Sequence, residues 1–172
     1  MSSINPGNVF GNNPMGVIPP GMEPSSGNGE IIEDLNTLLQ GEISASETYR
    51  NVLDKVAKGA HAQNVGLLRE IQAEHGRACQ SIRNRIRELN GEASDSSGAW
   101  GVWAKAVEGT LSLFGGDKGA LKALKEGEEH GLKEYEKAIE EVDPTSAQLL
   151  QNQMIPAQQR HIRLLDQLMT PV

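Results

Sequence analysis

The tightest constraint on this chain is that it writes one helical phrase twice. At a constant offset of 86 residues, positions 35–82 overlay 121–168 without a gap, and nine of the 48 pairs are identical. They are Leu35/Leu121, Leu38/Leu124, Gly41/Gly127, Glu42/Glu128, Tyr49/Tyr135, Val56/Val142, Gln72/Gln158, His75/His161 and Arg77/Arg163. Ordinary composition would give roughly three. The rare letters weigh more than the count, because the two tyrosines of the chain pair with each other. A repeat of this length is read as two copies of one supersecondary unit packed about a pseudo-twofold axis.

Each unit reads as two amphipathic helices. Ile31, Leu35, Leu38, Glu42, Ala45, Tyr49, Val52 and Val56 step by threes and fours, with Gly59 as the stop. Val65, Leu68, Gln72, His75, Cys79, Ile82, Ile86 and Leu89 form the second stripe, closed by Asn90-Gly91 as a C-terminal cap. Leu121, Leu124, Glu128, Gly131, Tyr135, Ala138 and Val142 form the third. The fourth opens at Asp143-Pro144, a cap followed by a residue suited to the first turn, and runs Ala147, Gln151, Met154, Gln158, His161, Leu165, Leu168. Pro156 lies inside it and should kink it just before Gln158.

The second and third helices are separated by about 30 residues, 90–119, with Trp100, Trp103, Val107, Leu111 and Phe114 on the stripe of a shorter helix. The other connections are short, so the expectation is two antiparallel hairpins, 30–90 and 120–170, joined by a long helical crossover: an all-α four-helix bundle over 30–170. The tryptophans are expected to act as a lid or packing element, with self-association as the alternative. Residues 1–29 are mostly Gly, Pro, Asn and Ser without periodicity and are expected to form a disordered tail. A docking peptide for a protein partner and an uncleaved export signal are the other readings of that tail.

Several classes are disfavoured. A net charge of −7 with both signs interspersed argues against nucleic acid or an anionic membrane as partner. No run approaches the ~18 apolar residues a spanning helix needs, and residues 1–20 lack the basic and apolar regions of a secretory leader. The lone Cys79 excludes an intramolecular disulfide and a multi-cysteine metal site, fitting a reducing, cytoplasmic setting. Its stripe position points to a buried, inert thiol. His61 in a turn and His130 on a polar face are expected to be solvated, and Arg77 and Arg163, off the stripe, are expected at the surface.

The oddity lies in where the repeated polar residues fall. Glu42, Gln72, His75, Glu128, Gln158 and His161 occupy apolar stripes near mid-helix, with Tyr49 and Tyr135 two turns beyond the glutamates. A buried carboxylate costs several kcal/mol unless it is paired, protonated or bound to metal, so six such residues on four helices make a site. Gln72 and His75 share a helix face, as do Gln158 and His161. Glu74, beside His75, is expected to face elsewhere.

"GEISASETY" (41–49) and "GEEHGLKEY" (127–135) resemble the Gly-Glu-x6-Tyr phrase of ferritin-like proteins such as rubrerythrins, and the two Gln-x-x-His phrases resemble their Glu-x-x-His motifs. The chain from "LNGEASDSSGAW" through "GLKEYEKAIEEV" is similar to a little-characterised bacterial family of ferritin-like four-helix proteins. The resemblance covers about 31–169 and implies a ferritin-like bundle whose centre holds two iron or manganese ions. Gln72 and Gln158 stand where that family has bridging glutamates, and an amide oxygen is a weak, neutral ligand. Two readings of the site follow. In one, Glu42, His75, Glu128 and His161 bind a single Fe, Mn or Zn ion, with Gln72 and Gln158 weak or outer ligands and Tyr49 and Tyr135 orienting the carboxylates. In the other, the same residues form a metal-free hydrogen-bonded network. The expected function is accordingly a non-catalytic or weakly metal-binding protein acting by binding or assembly, homo-oligomers included. The alternative is an oxidoreductase or iron- or peroxide-handling protein with a degenerate metal site.

Overall fold

The computed structural model describes residues 26–56, 62–101 and 117–170. The stop at Gly59, His61, most of the tail and the crossover residues Trp103, Val107, Leu111 and Phe114 lie outside them. Among these described residues there are five α-helices: α1 (Ser26–Val56), α2 (Ala62–Glu88), α3 (Asp117–Ala138), α4 (Pro144–Leu149) and α5 (Ile155–Met169). A single π-turn, Leu150–Met154, fuses α4 and α5 into one fourth helix, and a 3₁₀ turn at Gly98–Trp100 begins the crossover. No strand occurs among the described residues.

α1 and α2 form one antiparallel hairpin, and α3 with α5 forms the other. α1 also packs on α3, Glu42 lying by Tyr135 and Tyr49 by Glu128, so these helices are antiparallel too. The crossover therefore joins two parallel helices, α2 and α3, and has to travel the length of the bundle, which is why it is long.

Local sequence sets the ends. Asn90 takes the left-handed conformation (φ 61°), and its N–H and that of Gly91 reach back to Arg87 and Ile86 carbonyls at 2.9 and 2.8 Å. This is the double reverse bond of a helix stop, with Asn in place of the usual glycine. Gly91 is needed for a different reason: a Cβ there would lie 2.8 Å from the Ile32 side chain of α1. Asp143 caps α4 by accepting from the Thr145 and Ser146 amides at 2.9 and 3.2 Å, and Arg85 at the end of α2 bonds to Asp143 at 2.9 Å. α1 starts at Ser26, four residues before the expected hairpin start at 30, so residues 26–29 are helical and not part of a disordered tail, since extending an existing helix costs far less than nucleating one.

Ahead of and at the start of the π-turn the fourth helix buries Ser146 and Leu150; Ala147 is half-buried and Gln151 exposed, so the buried positions are one residue off the expected stripe. The buried set 146, 150, 154, 158 takes three steps of four in a row, which drifts around an α-helix. The wider π-turn takes up that drift and delivers Gln158 and His161 to the core. It ends two residues before Pro156, whose missing N–H and ring would otherwise break the α-ladder.

The interior has two apolar clusters. One holds Val52, Leu53, Leu68, Ile71, Leu121, Leu124 and Leu165; the other holds Leu35, Leu39, Ile82, Ile86, Leu150 and Met154. Tyr49 belongs to the first and Tyr135 to the second, and their hydroxyls point into a polar layer between the two. Buried Cys79 borders that layer; burial pushes its thiol up to about 12, which leaves it protonated and unreactive.

Candidate metal centre

The polar layer gathers one side chain after another from the four helices. Glu42 on α1 accepts from the Tyr135 hydroxyl at 2.6 Å and faces His75 Nδ1 at 2.8 Å. Glu128 on α3 accepts from the Tyr49 hydroxyl at 2.6 Å and faces His161 Nδ1 at 3.2 Å. These four contacts form two pairs related by the 86-residue repeat, carboxylate to tyrosine and carboxylate to histidine. Each tyrosine serves the glutamate of the opposite hairpin.

The symmetry then breaks. His75 Nε2 crosses to Glu128 Oε1 at 3.0 Å, whereas His161 Nε2 turns outward to Glu74 Oε2 at 2.7 Å. Glu74, expected from its own helix to face elsewhere, is thus a member of the site. It lies beside the α2–α5 seam, where a neighbouring helix reaches it, and also pairs with Arg160. The amides differ as well. Gln158 Nε2 donates to the Glu128 backbone carbonyl at 3.1 Å, in room left by Gly131, where a Cβ would be 2.9 Å away. Gln72 is half-buried, and no hydrogen bond joins it to a described residue.

Glu42, Glu128, His75, His161, Tyr49 and Tyr135 are all buried, so charge is decided by partners. Burial alone would lower the His75 pKa, but the Glu128 and Glu42 carboxylates outweigh it and hold the ring protonated well above the ordinary 6.5. Burial would raise Glu128; the His75 charge and the bonds from both histidines bring it down to about 2. The tyrosines are pushed up by burial and then by the carboxylates they serve, so they act as neutral donors. Burial works against ionised Glu74 too, but His161 and Arg160 lower it overall. Among the described residues no buried side-chain nitrogen or oxygen lacks a partner.

His75, Glu128 and His161 each offer a ligand atom, and these atoms lie within 4.8 Å of one another, a group able to hold a metal ion. Glu42 stands outside that group, on the far nitrogen of His75. A cavity of about 60 Å³ reaches the layer between α1 and α3, walled by Gly41, Ala45, Gly131 and Trp100. Trp100 is placed by the Ser44 hydroxyl, which donates to its carbonyl at 2.9 Å, and its ring lies over Gly41. The Trp100 ring lies 5.0 Å from that of His130, so the exposed His130 belongs to the cavity mouth. Exposed Arg77 lies 3.7 Å from Glu74, and Arg163 is exposed.

No helix among the described residues is long and apolar enough to cross a membrane. No curated protein sequence matches the chain. A crystal structure of "ferritin like, diiron-carboxylate proteins from Bacillus anthracis str. Ames" is similar, with a TM-score of 0.68 and 21% identity over 85% of this chain and 99% of that one. At that identity the likeness establishes a ferritin-like bundle and no more. The family match covers α1, α2, the crossover and α3: residues 30–141 place the chain in the family described as Domain of unknown function (DUF2383).

Proposed function

We propose that this protein binds one divalent metal ion at mid-bundle through His75, Glu128 and His161. The observation that carries the reading is how the ring nitrogens are shared out. Each histidine turns one nitrogen to Glu128, and a separate carboxylate holds the other: Glu42 behind His75, Glu74 behind His161. Two imidazoles and a carboxylate, each ring backed by a further carboxylate, suit Fe2+, Mn2+ or Zn2+.

The donor set fits one ion and does not fit two. A dinuclear centre needs bridging carboxylates, and the matching positions are Gln72 and Gln158. The Gln158 amide is already committed to a backbone carbonyl. Glu42 and Glu74 would orient and polarise the rings, Tyr49 would hold Glu128 in place, and the apolar clusters above and below would exclude water. An ion held there would supply positive charge and a free coordination position for a small ligand. Because it would replace ring protons, its binding competes with protonation.

The rival reading is a metal-free structural layer, favoured by the complete pairing of the buried polar atoms. Metal analysis by mass spectrometry after loading with Fe2+, Mn2+ or Zn2+ separates the two. About one equivalent, lost in the His75→Ala/His161→Ala variant, supports the metal site; no ion under any loading leaves the structural layer. An oxidoreductase built on the site would further show Fe2+-dependent peroxide consumption that disappears in the same variant.

A further inference from the structure

The polar layer meets solvent differently on its two sides. Between α1 and α3 the larger cavity has Trp100 across it and carries Glu134 in its wall as well as Glu42 and Glu128. Between α2 and α5 a smaller cavity, about 10 Å³, runs from Glu74 past Ala78 and Ala157 to His161, His75 and Glu42. α2 and α5 touch sparingly along this seam, and both flanking alanines are short.

Glu74 stands at its outer end. Its side chain is 15% exposed, against 7% or less for Glu42, Glu128, His75 and His161. One carboxylate oxygen faces inward to His161 Nε2, and the same carboxylate is covered from outside by Arg160, itself 45% exposed. Positions 74 and 160 are 86 apart, equivalents in the repeat, and they touch across the pseudo-twofold axis. Like residues there would crowd or repel; a glutamate facing an arginine closes the seam.

We infer that the Glu74–Arg160 pair is a latch on the access route for divalent cations. With Arg160 seated, the Glu74 carboxylate is neutralised and the seam is shut. When Arg160 swings into solvent, Glu74 keeps only the longer 3.7 Å contact with exposed Arg77, and its carboxylate can meet an arriving cation beside the His161 ring. On the α1–α3 side Glu134 also lines the cavity, but Trp100 lies across it, so that side is the competing route that Trp100→Ala tests. The latch rests on the metal-binding reading above and adds to it a direction of access and a residue that sets its rate.

Two measurements on the full-length protein test it. The first needs no metal: diethylpyrocarbonate labelling of His161, followed by peptide mass spectrometry, with exposed His130 as internal standard. Arg160→Gln should speed His161 labelling several-fold, while Arg163→Gln on the same helix should leave it at the wild-type rate. The second follows Co2+ uptake by stopped-flow absorbance. Arg160→Gln should accelerate uptake about fivefold at unchanged stoichiometry, the limit being the modest strength of a partly exposed ion pair. Glu74→Gln should slow it, and Trp100→Ala should not change it. Equal labelling and equal uptake in wild type and Arg160→Gln would overturn the latch alone, as would acceleration by Trp100→Ala. Wild type that takes up no Co2+ would overturn the metal-binding reading and the access route with it.

Discussion

The two hairpins are one design, and their central residues have drifted to different tasks. In the first, His75 is enclosed, with both ring nitrogens on buried carboxylates. In the second, His161 has one nitrogen inside on Glu128 and one on Glu74, which is only partly buried. Glu42 serves one tyrosine and one histidine; Glu128 serves one tyrosine and both histidines. The repeat thus preserves what holds the layer together and varies what connects it to solvent. Duplication supplies symmetry, and a few unmatched neighbours are enough to give the halves separate roles.

The largest test of that asymmetry is removal of each glutamate. Glu128→Ala strands Tyr49, His75 and His161 and should cost roughly 3–5 kcal/mol, Glu42→Ala roughly 2–4 kcal/mol. Chemical denaturation giving equal losses would mean that the two carboxylates carry equal loads. A loss below about half a kcal/mol for either would remove it from the buried layer altogether.

Acidity separates the same groups. The His75 pKa is raised above 6.5, so its stabilisation is complete below 6.5 and is lost as pH climbs through the higher folded value. The Glu128 pKa falls from 4.5 to about 2, so its share is complete above 4.5 and is lost as pH drops toward 2. Both are fully present only between about 4.5 and 6.5, and denaturation midpoints measured across pH should be highest there. In His75→Ala the alkaline decline should flatten.

Smaller effects sharpen the contrast. Tyr135→Phe leaves Glu42 with one partner, while Tyr49→Phe leaves Glu128 with two. The first should cost about 2 kcal/mol and the second about 1 kcal/mol. Smallest of all, Gln158→Ala should cost about 1 kcal/mol and Gln72→Ala under about half of that, because only the former holds a buried carbonyl. Equal values would indicate that the amides do not divide the halves.

The repeat made much of this legible from sequence. The hairpins, the cap at Asn90-Gly91, the start at Asp143-Pro144 and the placing of glutamates, histidines and tyrosines in one layer all follow from spacing. Glu74 did not, because a helical wheel treats one helix against one core. A residue beside the stripe is judged exposed unless a neighbouring helix is known to cross there. Its signal was present in the offset: opposite charges at the equivalent positions 74 and 160 mark a contact across the pseudo-twofold axis. The register of Ser146 and Leu150 was hidden for another reason. The fourth stripe was drawn with α-helical geometry, and a π-turn adds a residue to one turn without any signature beyond the proline that follows it. Glu42 shared a stripe pattern with Glu128, yet only the three-dimensional arrangement shows which of them sits between the two rings.

The exchanged tyrosines carry one more consequence. Neither hairpin contains a complete set of partners for its own glutamate: Tyr49 completes Glu128, and Tyr135 completes Glu42. Folded alone, each would carry a thirsty carboxylate and an idle phenol on the same face. Two such halves, severed between residues 101 and 117, would remain lock and key to each other, and a lone half could find the same fit in its own twin.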